Sequence, residues 1–447
     1  MSKISNKYNF ILYIFILLVS LSFAFLLDIG MDYKAIYTSF LLFFIGVFVL
    51  FRSGKERFVF TLSFVVGIVF LPLYSQSYIT DTGFPFIQGG DAQTFYEKVV
   101  DIAQGDLSQY WGRYKVFLFI VSKYYNFINF IGVGSYSPYH FFIFSIFCGA
   151  VSTTLTYLIG LKTFNYNTAL KAAVITSLFP ILIKYNLGSL REVYALPFFL
   201  FAIYQIIIAK KKSSFFILIS VLLVTGIRVD WGALLMVFLF FYYASGLPQK
   251  RRINIYIKMT AFLFIILVPA IYFFINNGLL EVSYYSSEKL QHINEYTTNN
   301  DNSSLTGKLK KMGLTGRLLL FFYVIIVPLP PLLANYGKSI IEPLLTSIGS
   351  IFWYFSLLMI YLSVKKSYSD TKFKKFTNAF IALIFFTSTL LAFTSVGVYR
   401  HKLFIYPLSF LFLSHFTEFF NKTVRNIILM QTFVVILVLI LLYTLIK

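Results

Sequence analysis

Charge is the scarcest property of this chain. Only 12% of its 447 residues are Asp, Glu, Lys or Arg, and the acids number 17. A soluble domain of ordinary composition carries roughly twice that share of charge, so a fully water-covered surface is excluded. Cysteine is almost missing. Cys148 stands alone in an apolar run, which excludes an intramolecular disulfide framework and a cysteine metal cluster and leaves packing as its role. The four histidines, His140, His292, His401 and His415, show no ligand spacing, so neither a metal site nor a cofactor is expected.

Apolar residues fill the space that charge leaves. They make up 58% of the chain, with 55 Phe and 33 Tyr, and the mean hydropathy is +0.78. Repeated apolar runs approach the roughly 20 residues that a helix needs to cross a bilayer. The composition therefore predicts an all-α polytopic membrane protein forming a single integral membrane domain over 1–447. A net charge of +21 would point to nucleic acid in a soluble domain. Here the Lys and Arg residues sit in short loops between apolar runs, where they set orientation, which argues against a nucleic-acid partner. The first block, Phe10 to Leu27, follows Lys3 and Lys7 as a signal sequence would, yet it is long and lacks a small-residue cleavage site. It reads as an uncleaved first span.

Orientation follows from the bias of Lys and Arg toward the cytoplasm. With Lys3 and Lys7 inside, spans at about 10–27, 35–51 and 58–74 return Arg52, Lys55 and Arg57 to the inside and open a first outer loop over 75–138. The stretch 114–133 carries Lys115, Lys123 and Asn126 and is either a span or a helix on the outer surface. Parity decides for the surface, because only then do Lys162, Lys171, the run Lys210 to Lys212 and the run Lys250 to Arg252 all fall inside. Further spans follow near 139–160, 172–187, 193–209, 214–227, 232–245 and 257–276. They leave a second outer loop over 277–316, whose TTNNDNSS run reads as poorly ordered. The segment 317–333, broken by Pro328, Pro330 and Pro331, reads as re-entrant or surface-lying. Spans near 344–364, 376–395, 403–417 and 426–446 bring the total to about 13.

This topology gathers the rare charges of the outer turns on one side. Asp91 opens the polar stretch DAQTFYEKVVDIAQGD, Arg191 and Glu192 lie in NLGSLREVYALP, Arg228 and Asp230 in TGIRVDWGAL, and Arg400, His401 and Lys402 in TSVGVYRHKLFIYP. Charge beside hydrocarbon is costly, so each such group needs a reason. Arginine offers a planar fork of donors that matches phosphate oxygens, and three arginine turns facing a carboxylate suit an anionic lipid head group. Plainer roles exist for every one of them. Ser189 to Glu192 fits a capping box, Arg228 and Asp230 are placed to pair with each other, the 400–402 triplet can anchor a helix end, and Asp91 can cap a surface helix with Phe95, Val99 and Ile102 on one face.

The aspartate followed by Tyr96 at the fifth residue and Gly105 at the fourteenth resembles the first outer loop of glycosyltransferases of the GT-C fold, such as protein O-mannosyltransferases and the aminoarabinose transferase of lipid A. The block from Tyr166 through Pro180 to the Leu-Arg-Glu turn is similar to their third and fourth spans, and VYRHKLFIYPL to their late outer turn. This resemblance implies that Asp91 is the catalytic carboxylate and that the late turn meets the lipid phosphate. The chain departs from that family in having three spans before the acidic loop, no second acid directly beside Asp91 and no large soluble C-terminal domain. Its size, aromatic content and LREVYALPFFLFAIY block instead resemble the repeat-unit polymerases of O-antigen and capsule assembly, including the EpsG-like exopolysaccharide proteins. The fold implied is GT-C-like, and the partners implied are an undecaprenyl-(pyro)phosphate-linked saccharide donor, a saccharide or lipid-linked acceptor, and membrane lipid.

Both resemblances imply glycosyl transfer at the extracytoplasmic face of a bacterial plasma membrane. Such transfer needs a base for the acceptor hydroxyl and cationic stabilisation of the departing phosphate. The candidates are Asp91 as base with Asp230 and Glu192 behind it, Arg191, Arg228, Arg400, His401 and Lys402 for the donor phosphate, and Tyr96 and Tyr399 for substrate. The alternative is a flippase or transporter of lipid-linked saccharides, against which stand the lack of an evident internal repeat and the placement of charge away from the midplane. Cysteine-accessibility probes are expected to label 277–316 from outside and 365–375 only after permeabilisation. Outside labelling at Ser367 would overturn the non-crossing placement of 114–133 and 317–333.

Overall fold

The computed structural model describes residues 13–22, 33–51, 53–82, 91–106, 115–132, 136–210, 212–247, 312–326, 341–394, 400–431 and 433–434. Every regular element among them is helical. In chain order these are α1 (Tyr13–Ser22), α2 (Tyr33–Phe44), α3 (Gly54–Thr82), α4 (Asp91–Ala103), α5 (Lys115–Phe130), α6 (Pro138–Thr163), α7 (Tyr166–Leu178) and α8 (Pro180–Leu187). There follow α9 (Arg191–Ile208), α10 (Ser213–Ile227), α11 (Val229–Ala244), α12 (Gly313–Ile326), α13 (Ile341–Ser369), α14 (Lys374–Thr394) and α15 (Ile405–Phe419). A π-helical turn, Ile45–Leu50, extends α2, and a 3-10 turn, Arg400–Lys402, precedes α15.

Among the described residues five helices are long and apolar enough to cross a membrane: α3, α6, α9, α13 and α14. The pair α7 and α8 makes a sixth if the two count as one bent span. The described residues fall into two compact units, one within 1–236, 328–373 and 399–447, the other within 237–327 and 374–398. In the first, α6 is the central helix and packs against α3, α7, α8 and α9. In the second, α12 packs against α14. The expected span 257–276 and most of the loop 277–316 lie outside the described residues, as do the ends of the first and last expected spans.

Local chemistry explains where the helices start. Ser137 caps α6 by accepting the Tyr139 N–H, with Pro138 at the first helical position, and Asn165 caps α7 by accepting the Thr168 N–H at 2.9 Å. Inside α6 the hydroxyls of Ser152, Thr153, Thr154 and Thr156 each donate to the carbonyl four residues back, so an apolar environment leaves none of them exposed as a lone donor. Thr153 also meets Ser63 of α3 at 3.1 Å, and His140 meets Thr38 of α2 at 2.9 Å. A Cβ at Gly160 would stand 2.9 Å from the Ala169 Cα, so this glycine sets how closely α6 and α7 approach.

The structure corrects the expected span 172–187, which is two helices bent by 54° at Phe179. Pro180 has no N–H to donate and disfavours helical geometry at the residue before it, and Phe179 is accordingly extended at φ −69° and ψ 115°. The helix expected to end at residue 74 continues to Thr82, with Tyr78 held by a side chain of α13. Phe95, Val99 and Ile102 are buried together on one face of α4, as their spacing predicts. That face meets α5, where the Phe95 and Phe117 rings stack edge to face at 5.1 Å. Ser367 is buried, so exposed Ser369 is the better position for a labelling probe in the 365–375 turn.

Candidate functional site

Arg228 is the one residue between α10 and α11. Its backbone is extended and its N–H still closes the last turn of α10 on the Val224 carbonyl at 2.7 Å. A cation at the C-terminus of α10 and Asp230 in the first turn of α11 both complement the helix dipoles. The Arg228 side chain is only 3% exposed, and its fork is committed. Nε donates to Asp230 Oδ1 at 2.9 Å and Nη2 to Oδ2 at 2.6 Å, while Nη1 donates to Glu192 Oε1 at 2.5 Å. Nη2 also contacts His401 Nδ1.

Glu192 overturns the capping-box reading. Leu190 is the N-cap of α9 and makes no side-chain cap, and the Glu192 carboxylate, 2% exposed, turns to Arg228. In a low-dielectric setting a paired guanidinium holds a buried carboxylate more strongly than a backbone N–H does. Ser189, just before, has φ 46°, a left-handed conformation uncommon for a residue with a side chain, and it makes the tight turn from α8 into α9.

The turn before α15 supplies the other half of the cluster. Arg400 Nη1 donates to Asp91 Oδ2 at 2.6 Å, and Arg400 Nε lies 4.0 Å from Glu192 Oε1. Asp91 and Arg400 are the accessible edge, with side chains 54% and 29% exposed. His401 Nδ1 is 3.4 Å from Asp230 Oδ2, and Trp231 Nε1 donates to the His401 carbonyl at 3.0 Å, which fixes the turn against α11. Asp91, Glu192, Arg228, Asp230, Arg400 and His401 are thus brought together from four separate parts of the sequence.

The electrostatics divide a fixed floor from an open edge. Burial alone would raise the Asp230 carboxyl, but the two hydrogen bonds from Arg228 and the Arg228 charge work against it, and Asp230 is held well below the usual carboxylate range. Asp230 therefore stays ionised at neutral pH and is a poor proton acceptor. Its stabilising contribution is present above the unfolded carboxylate range, about pH 4, and disappears only as pH falls further through the depressed value. Burial would lower both arginines, yet Glu192 and Asp230 raise Arg228, and Glu192 and Asp91 raise Arg400, so both remain charged. Burial lowers His401, with only partial recovery from the neighbouring Asp230 and Glu192 carboxylates, so the imidazole is neutral near pH 7. Two guanidiniums then face three carboxylates, and the cluster carries one net negative charge.

Other expected site residues are placed differently. Arg191 is the first residue of α9, half-buried and next to Glu192 in the chain. Lys402 is buried with its ammonium 5.4 Å from the Trp353 ring and 5.7 Å from the Tyr406 ring, and burial pushes its pKa down to about 7. Tyr96 donates its hydroxyl to the Tyr136 carbonyl and packs on Tyr125 and Phe141, and burial, followed by the Glu97 charge, pushes it up to about 12. Tyr399 lies outside the described residues. Sequence reasoning missed a second charged contact, Lys184 of α8 with Glu342 of α13 at 2.6 Å, to which Tyr78 donates at 2.5 Å and Thr346 adds a contact to Lys184 at 3.0 Å. A lysine in the middle of the apolar run 172–187 was the available signal.

No protein-family model and no curated protein matches the chain. Although their sequence settings look alike, the three arginines have three surroundings, and substitution should separate them. Arg228→Lys leaves one of two carboxylates without its partner in a buried setting and is expected to cost about 3 kcal/mol or more, whereas Arg400→Lys at the exposed edge should cost about 1 kcal/mol or less. Thermal melting of the detergent-purified protein reads this out, and equal melting temperatures for the two variants would contradict the division into floor and edge.

Proposed function

We propose that this protein is an integral membrane glycosyltransferase of bacterial surface polysaccharide assembly. It transfers a saccharide from an undecaprenyl-(pyro)phosphate donor to an acceptor hydroxyl at the extracytoplasmic face of the plasma membrane, as an O-antigen or capsule repeat-unit polymerase or a GT-C monosaccharide transferase. The architecture that accompanies this reading is a GT-C-like bundle of about 13 spans, with α4 and α5 as interfacial helices of the first outer loop.

The observation that carries the reading is the Arg400–Asp91 ion pair at the open edge of an otherwise buried cluster. In the resting pair Asp91 is engaged by Arg400 through Oδ2. A donor (pyro)phosphate competes for the Arg400 fork, because each of its phosphoryl groups carries a negative charge on a pair of non-bridging oxygens that match the guanidinium in bidentate fashion. Once Arg400 changes partner, Asp91 is free to accept a proton. The acceptor hydroxyl oxygen then bonds to the anomeric carbon as its proton passes to Asp91, and the bond from that carbon to the phosphate oxygen breaks with its electron pair on the leaving phosphate. Arg400 and Arg191 meet the charge that develops there, and the N-terminal dipoles of α9, α11 and α15 add to it. Arg228 serves as the positioning residue that holds Glu192, Asp230 and His401.

Asp91→Asn keeps the size of the side chain and a bond to Arg400 but removes the base. Activity is expected to fall at least about a hundredfold. The check is the length distribution of surface polysaccharide in a strain carrying only the variant at wild-type abundance: single capped repeat units fit loss of a polymerase and a missing branch sugar fits loss of a monosaccharide transferase. Normal polysaccharide would remove Asp91 from the mechanism.

A further inference from the structure

His401 Nε2 is buried and has no hydrogen-bond partner among the described residues. An imidazole nitrogen left this way is costly, by more than most single hydrogen bonds contribute. Which proton it carries follows from the other nitrogen. Nδ1 meets two groups: Arg228 Nη2 in a close contact, and Asp230 Oδ2 at 3.4 Å. Arginine has donors only and no acceptor. The nearer partner therefore requires a lone pair on Nδ1. A neutral imidazole with a lone pair on Nδ1 carries its proton on Nε2.

Building on the glycosyl-transfer reading, we propose that Arg228 locks His401 as the Nε2–H tautomer, making it a neutral hydrogen-bond donor to a phosphate oxygen of the lipid-linked donor. Arg228 thus acts twice, once on the two carboxylates and once on the ring. Of the charged groups that face the ring, Glu192 and Asp230 favour a charged imidazole, while a second cation here would stand against the Arg228 guanidinium. Burial, which lowers the imidazole below its ordinary value, acts in the same direction. The ring is carried by the same three-residue turn as Arg400, and Trp231 holds that turn through the His401 carbonyl. A phosphate that draws Arg400 off Asp91 therefore arrives at the turn whose next residue supplies the Nε2–H. Asp91, not His401, remains the proton acceptor.

Two measurements on the full chain in nanodiscs test this. Nitrogen-15 NMR of the histidine-labelled protein, with the His401 signal assigned by its loss in His401→Gln, is expected to show an unprotonated Nδ1 and a protonated Nε2 before any substrate is added. An imidazolium or the opposite tautomer would overturn the lock. The second is the affinity for undecaprenyl pyrophosphate. Gln places an amide N–H near the position of Nε2 and should keep most of the affinity, while Asn reaches only the position of Nδ1 and should lose at least about tenfold. Equal affinity in the wild type and both variants would overturn the role of His401 alone. No binding by the wild type would overturn the glycosyl-transfer reading and the ligand assigned to His401 with it, and the tautomer measurement would still report on the lock.

Discussion

Everything at this site depends on a guanidinium held out of water. Arg228 sits between two helices with no turn residues to spare, and burying its charge is affordable only because two carboxylates and an imidazole complete its fork. One consequence is geometric: α9, α11 and the turn before α15 are tied to a single planar group, which fixes their ends relative to one another. Another is electrostatic. Glu192 and Asp230 are engaged by Arg228, which leaves the Asp91–Arg400 pair as the accessible edge of the described cluster.

On the proposed reading, the excess negative charge lies with Glu192 and Asp230, which share the buried Arg228, while Asp91, the most exposed of the cluster's charged side chains, is the group that the substrate would displace. A floor of fixed charges under one exchangeable pair needs little rearrangement when a phosphate arrives, since the buried partners keep their bonds. Asp91 belongs to α4, whose buried Phe95, Val99 and Ile102 pack against α5. The exchangeable pair therefore joins α4 to the turn before α15, and parting it frees the start of α4 without touching the Arg228 bonds.

Part of this was legible in the residues. The scarcity of charge marked Asp91, Glu192, Arg228, Asp230, Arg400 and His401 one by one, and topology placed them on one side, because a charge near hydrocarbon must be paired or exposed and a long apolar chain allows few places for either. Pairing between Arg228 and Asp230 could be anticipated from their spacing. The link from Glu192 to Arg228, 36 residues away, could not, because the local S-x-x-E pattern offers an equally simple capping role and only burial decides between them. The bend at Phe179 was written in Pro180 but hidden by an unbroken apolar run. Lys402 looked equivalent to Arg400 in sequence, yet a 3-10 turn gives successive side chains different directions, and Lys402 is delivered to the rings of Trp353 and Tyr406.

The central claim is that a lipid-linked saccharide is chemically transferred at this site and not merely carried past it. The most direct test is to incubate the purified protein in nanodiscs with a defined undecaprenyl-pyrophosphate-linked saccharide and follow the products by mass spectrometry. The account predicts a longer lipid-linked saccharide together with released undecaprenyl pyrophosphate. A donor that remains intact in nanodiscs, while the same lipid moves between leaflets in liposomes containing the protein, would contradict it and favour a transporter.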